Sequence, residues 1–132
     1  SIWSVPFGLP GLDTTFRFLL DAASRGRMGY PMLVDLYARR PAFLYGYYPR
    51  KGALIPGADA DIVLVDPNIE YEMTHEMVIS KAGWTPYAGR VFRGSTQAVY
   101  LRGKKISENG ICLAEPGTGE FVMPRRNRAL LK

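Results

Sequence analysis

The spacing of apolar residues changes character near Lys51, and that change restricts the chain to an α+β arrangement. Before it, Phe16, Leu19, Leu20 and Ala23 recur at i, i+3, i+4 and i+7, which is one face of an amphipathic helix. Asp13 or Thr14 offers the N-cap, and Gly26 and Gly29 close the segment, so a helix is expected over Asp13 to Arg25. A second helix is expected from Tyr30, with Pro31 at the first position, where a missing N–H costs nothing. Leu33, Leu36 and Tyr37 form its apolar stripe. Pro41 is expected to interrupt it, leaving one or two further turns to Tyr45 and a closing Gly46.

After Lys51 the pattern is one of short β-branched runs separated by Gly, Pro and Asn. Ile62 to Val65 is continuously apolar, as in a strand covered on both faces, and Asp66-Pro67 is expected to end it because proline cannot donate to a ladder. Gln97 to Ile106 reads as one long strand with Gly103 as a bulge. Asn109-Gly110 is a two-residue hairpin signal leading into Ile111 to Leu113. Helices followed by strands suggest two layers or two domains, residues 1–50 and 51–132, joined near Tyr48 to Gly52.

Composition removes several classes. Apolar residues make up 47% of the 132, which is globular rather than disordered material. No apolar run approaches the ~20 residues that span a bilayer, so no membrane association is expected. The single cysteine, Cys112, excludes an internal disulfide framework, suits a reducing cytoplasmic setting and is expected to be a small buried hydrophobe. The net charge of +5 permits an anionic partner. Part of that excess lies in Arg125, Arg126, Arg128 and Lys132 at the end, without interleaved aromatics, so a solvated tail is expected rather than a nucleic-acid arm. The chain starts Ser-Ile-Trp, with no initiator Met and no signal-peptide pattern, and is expected to be cut from something longer.

Five stretches carry a resemblance. KGALIPGADADIVLVDP (Lys51 to Pro67) resembles the signature at which amidohydrolase-superfamily chains leave a (β/α)8 barrel for a small β-sandwich. Its local physics agrees: Gly57 permits a positive φ, and Asp59 and Asp61 can cap backbone N–H groups. VPFGLPGLDT (Val5 to Thr14) is similar to the PFG loop and G-x-E-T run of dihydroorotases, with Asp13 where the family usually has Glu. RGRMGYPMLVDLYARRPAFLYG resembles the last barrel helices. WTPYAGRVFRGSTQAVYLRGKKISENG resembles the terminal sandwich strands of dihydroorotases, allantoinases and hydantoinases, and PGTGEFVMPRR resembles the tail of the hydantoinase branch.

The resemblance implies an α+β fragment: terminal helices of a (β/α)8 metal-dependent hydrolase barrel followed by strands of a small β-sandwich. It implies hydrolysis of a cyclic amide, with zinc in the full-length parent lowering the pKa of a bound water and polarising the carbonyl. The family's ligands are an H-x-H pair, a modified lysine, two further histidines and an aspartate. This chain has one His and no H-x-H, so no catalytic and no metal residue is assigned to it, and alone it is expected to be inactive. One role carries over: Phe7 and Gly8 align with the loop that offers main-chain groups to the substrate, although Pro6-Phe7-Gly8 also reads as a plain turn. The implied partners are the remainder of the parent chain and further copies in a homo-oligomer. A stand-alone interaction module derived from the same tail is the alternative reading. A basic nucleic-acid-binding domain has only the net charge in its favour.

Other residues invite structural readings. Glu72 and His75 are three apart, but two groups do not make a metal site, and a surface His is expected. Asp59, Asp61 and Asp66 lack the calcium-loop pattern and suit turn and strand-end roles. Trp84, Tyr87 and Phe92 are expected to pack against the barrel or a neighbouring subunit. Pro116, Gly117 and Gly119 form a turn rather than a phosphate loop.

Overall fold

In the computed structural model, residues 8–125 are described. Their order is α1 (Thr15–Ser24), α2 (Tyr30–Val34), a π-helical turn (Asp35–Arg39), α3 (Arg40–Leu44), β1 (Ile62–Glu72), a 3-10 turn (His75–Met77), β2 (Val91–Leu101), β3 (Lys104–Glu108) and β4 (Ile111–Cys112). The strands form one sheet in the order β1-β2-β3-β4, with β2/β3 and β3/β4 antiparallel. Two compact units divide the chain: Pro67–Ser95 with the described residues up to Arg27, and Met28–Asp66 with the described residues from Thr96 onward.

In the first unit, Leu20 and Ala23 of α1 are buried, as the helical spacing requires. So is Asp21, which the apolar pattern does not single out. Its carboxylate accepts from Arg93 N at 2.8 Å, Arg25 Nε at 2.6 Å and an Arg90 guanidinium N–H at 3.2 Å. Burial alone would raise its pKa; the Arg93 amide and the two guanidiniums outweigh that and hold it below 3.8. Close approach of α1 to β2 depends on Gly94, because a Cβ there would stand 2.7 Å from both Leu20 Cγ and Ser24 Oγ. Phe92 is fully buried, with Tyr71 stacked on it at 6.1 Å and Tyr87 edge-on at 6.2 Å. Phe18 of α1 joins this cluster, 5.7 Å from Tyr87 and 6.4 Å from Phe92, so the two aromatics pack on a helix of the stretch expected to belong to the barrel.

In the second unit, the helical run continues through Pro41 instead of breaking. Pro41 has no N–H, and its ring would strike the carbonyl four residues back. The π turn widens the backbone just before it, with Arg40 N–H donating to Asp35 O five residues back. The run ends in a Schellman arrangement: Gly46 N donates to Phe43 O at 3.2 Å and Tyr47 N to Ala42 O at 2.7 Å. Helix α1 ends the same way, through Gly26 N to Ala23 O and Arg27 N to Ala22 O. Of the expected stripe, Leu33 is buried while Leu36 and Tyr37 are exposed.

Three strand expectations are corrected. β1 does not stop at Pro67 but runs on to Glu72, because it is the sheet's edge, where a missing N–H breaks no ladder on the open side. That position also leaves Val63 and Leu64 each 48% exposed rather than covered on both faces. Gln97 to Ile106 is not one strand: Arg102 (φ 49°) and Gly103 (φ 79°) form a two-residue turn between β2 and β3, and the irregularity lies at Val99/Tyr100. The second such turn, Asn109 (φ 48°) and Gly110 (φ 82°), falls where the sequence puts it. Cys112 is exposed, contrary to expectation, because β4 is a two-residue strand at the other edge.

Lys51 to Asp61 closes on itself and on the Arg102-Gly103 turn. Asp59 N donates to Arg50 O at 2.9 Å, and Lys51 Nζ pairs with Asp59 at 2.8 Å and with Asp61. Asp61 Oδ1 accepts from Arg102 N at 2.9 Å, and Ala60 O from Gly103 N at 2.9 Å. The two amides of the turn are thus held by consecutive residues of the aspartate-rich segment. Burial lowers the pKa of Lys51, but the two carboxylates reverse that and raise it overall.

Candidate functional site

The segment that runs into α1 is the one place where a sequence-assigned site residue is described. Gly8 is exposed with φ 77°, and a Cβ there would meet nothing within 4 Å. Its backbone thus takes a conformation that favours glycine and faces open space. Phe7 lies outside the described residues.

Beyond Gly8 the chain is tightly tied. Gly11 O accepts from Thr14 N at 3.1 Å, Thr15 N at 2.8 Å and Thr15 Oγ1 at 2.6 Å. Thr14 is buried, and its hydroxyl lies 3.3 Å from Pro10 O and 3.4 Å from Gly11 O rather than capping a helix N–H. Arg17 Nε donates to Asp13 O at 3.2 Å, and a guanidinium N–H of Arg17 reaches the Tyr71 hydroxyl at 3.2 Å. Asp13 Oδ2 accepts from Ser80 N at 3.1 Å. Leu9, Pro10, Gly11, Thr14, Phe18 and Tyr87 line an open cleft of about 210 Å3 along this segment. In the sequence Asp13 reads as a possible cap and as the residue standing where the resembled family usually has Glu; its bond to Ser80 spans 67 residues and leaves no local signature.

The segment that contains Ser80 is an Ω-like loop. Its ends are joined by Met73 N to Arg90 O and Gly89 N to Met73 O, both at 2.9 Å. Inside it, His75 Nδ1 accepts from the amide of buried Thr85 at 3.1 Å. His75 is exposed, as expected, and Glu72 closes β1 rather than sharing a helical face with it. Among the described residues no three of His, Cys, Asp and Glu come together to hold a metal ion. With one imidazole, already engaged through Nδ1, the described donor set does not fit a zinc site, and no chemical step is derived through one. In the second unit a cleft of about 370 Å3 is lined by Arg39, Arg40, Phe43, Leu44 and Tyr48. Both of its guanidiniums are paired with Asp35, whose pKa they lower against the opposing effect of burial. No helix among the described residues is long and apolar enough to cross a membrane.

Comparison with known proteins places this segment in context. No protein-family model matches the chain. It is 33% identical over 123 residues to a D-hydantoinase of Ralstonia pickettii, covering 93% of this chain and 27% of that protein. It is 42% identical over 90 residues to a dihydroorotase of Halobacterium salinarum, covering 68% of this chain and 21% of that protein. The solved L-hydantoinase (dihydropyrimidinase) from Arthrobacter aurescens superposes with a TM-score of 0.87 at 32% identity, over 95% of this chain and 28% of that one. The chain belongs to the cyclic amidohydrolases, as a C-terminal portion of that fold. It spans about a quarter of the length of the curated relatives it matches.

Proposed function

We propose that this chain is the C-terminal part of a metal-dependent hydrolase that opens cyclic amide rings of the hydantoin, dihydropyrimidine or dihydroorotate type. The carrying observation is the 33% identity over 93% of the chain to a D-hydantoinase. In this reading α1 to α3 are terminal helices of a (β/α)8 barrel, and β1 to β4 are strands of a small sandwich. Zinc, its ligands and the general base come from the remainder of the fold, in a cytoplasmic homo-oligomer. Exposed apolar side chains along the second helical run support a covering partner of that kind. Met32, Val34, Phe43, Leu44 and Tyr45 are 47–70% exposed, although apolar surface left in water costs roughly 25 cal/mol per Å2.

Within that enzyme, Phe7 and Gly8 present main-chain groups to the substrate. The exposed, positive-φ backbone at Gly8, with open space on its Cβ side, supports this.

The test is a chimera of the Ralstonia pickettii D-hydantoinase in which this chain replaces the stretch it matches. Hydantoin hydrolysis is expected in the chimera and not in the isolated chain. Gly8→Val should remove most turnover while the fold persists, and replacing Phe7 by Leu should do less. A folded, metal-loaded chimera without turnover overturns the family reading. Full activity in Gly8→Val overturns only the role of the loop.

A further inference from the structure

We infer that Asp13 is a positioning residue, which ties the Gly8 loop to the Met73–Arg90 loop so that the two move as one element; this rests on the reading that Gly8 faces the substrate. The sole side-chain bond between the two segments among those described is Ser80 N to Asp13 Oδ2, at 3.1 Å. On one side of it, the chain from Pro10 to Thr15 is fixed by bonds to Pro10 O and Gly11 O, so little slack separates Asp13 from Gly11. On the other side, the Met73–Arg90 loop is closed at its base and braced inside by Thr85 N to His75 Nδ1. Two internally stiff segments joined at one charged acceptor behave as a hinge pin. A charge-assisted bond of this kind is stronger than a neutral one. Asp13 touches no substrate in this scheme; it sets where the backbone of Gly8 can lie. The hydroxyl of Ser80 is buried without a partner, so the tie runs through its main-chain amide alone.

The test reads motion and catalysis separately. In the 132-residue chain, hydrogen exchange by mass spectrometry should show the peptide covering Thr14 and Thr15, whose amides donate to Gly11 O, exchanging about tenfold faster in Asp13→Ala, as loss of a charge-assisted bond predicts. In Asp13→Glu it should return towards the parent rate, and in Ser80→Ala it should not change. Separate peptides that cover Met73 and Arg90, both clear of Ser80, should hold their rates in all three, which reports that the unit stays folded. In the hydantoinase chimera, Asp13→Ala should raise KM several-fold with kcat little altered, and Asp13→Glu should restore it. Unchanged exchange at Thr14 and Thr15 in Asp13→Ala overturns the tie, whatever the kinetics. Faster exchange with unchanged KM leaves the tie standing but removes its role in substrate placement. An effect of Asp13→Ala on KM alongside a silent Gly8→Val would show that the loop acts without the Gly8 contact, which separates this inference from the reading beneath it.

Discussion

Asp61 Oδ1 accepts the amide of Arg102 at 2.9 Å, while the other oxygen of the same carboxylate pairs with Lys51 Nζ. One side chain therefore closes the Lys51 to Asp61 segment and holds the first residue of a hairpin turn. Replacing it by alanine leaves the Arg102 amide without its acceptor and Lys51 paired with Asp59 alone. Asp61→Ala is expected to destabilise the second unit by about 1–3 kcal/mol, read from the urea midpoint. Asp61→Asn keeps an oxygen for Arg102 N and should cost less. Equal midpoints for the two variants would show that the ion pair with Lys51, not the turn, is what matters.

Gly94 and Gly83 both have positive φ, at 95° and 63°, but differ in surroundings. A Cβ at Gly83 meets nothing within 4 Å, whereas one at Gly94 meets Leu20 and Ser24 at 2.7 Å. Both alanine variants carry the backbone penalty, on the order of 1 kcal/mol. Gly94→Ala should lose roughly 1–3 kcal/mol beyond it through overpacking. Thermal unfolding of the two variants checks this; similar melting temperatures would mean that α1 shifts off β2 without cost.

Acid should weaken the first unit through Asp21. Its folded pKa lies below the 3.8 of the free side chain, so its contribution to stability is complete above 3.8 and is lost as pH falls through the lower, folded value. Asp21→Asn should therefore be less stable than the parent at pH 6, and the gap should narrow in strong acid. Parallel stability–pH curves below pH 4 would contradict the assignment.

The isolated chain is expected to self-associate. Ile79, Leu12 and Phe121 are all more than 80% exposed, and β1 offers an apolar edge at Val63 and Leu64. Sedimentation velocity over a range of concentrations should show mass above 14.7 kDa. A monodisperse monomer with a cooperative thermal transition would favour the stand-alone module.

The two hairpin turns show what the sequence carries and what it does not. Asn109-Gly110 is legible because both residue types accept positive φ on their own account. Arg102-Gly103 is not, because an arginine at φ 49° is unfavourable in isolation. It is held there by Asp61 and Ala60, some 41 positions earlier, and no local pattern announces such a partner. Pro67 and Cys112 mislead for a related reason: each follows a sound local rule whose outcome depends on which strands become sheet edges. The helical faces were legible as far as Leu20, Ala23 and Leu33, because burial there follows period alone. Asp21 and Phe92 needed knowledge of what packs opposite. Near the candidate site, a glycine-type turn at Gly8 is legible from the Pro-Phe-Gly run, while the bond from Asp13 to Ser80 is not.

The single imidazole makes the chain its own spectroscopic reporter. His75 Nδ1 is a hydrogen-bond acceptor for the buried amide of Thr85, and no second histidine exists to overlap its signal. The ring 15N resonances of one uniformly labelled sample therefore report, without site-specific assignment, which nitrogen is bare and whether the loop between His75 and Thr85 is closed. Any ligand, neighbouring polypeptide or substitution that opens that loop should register as a change of tautomer at a single, unambiguous residue.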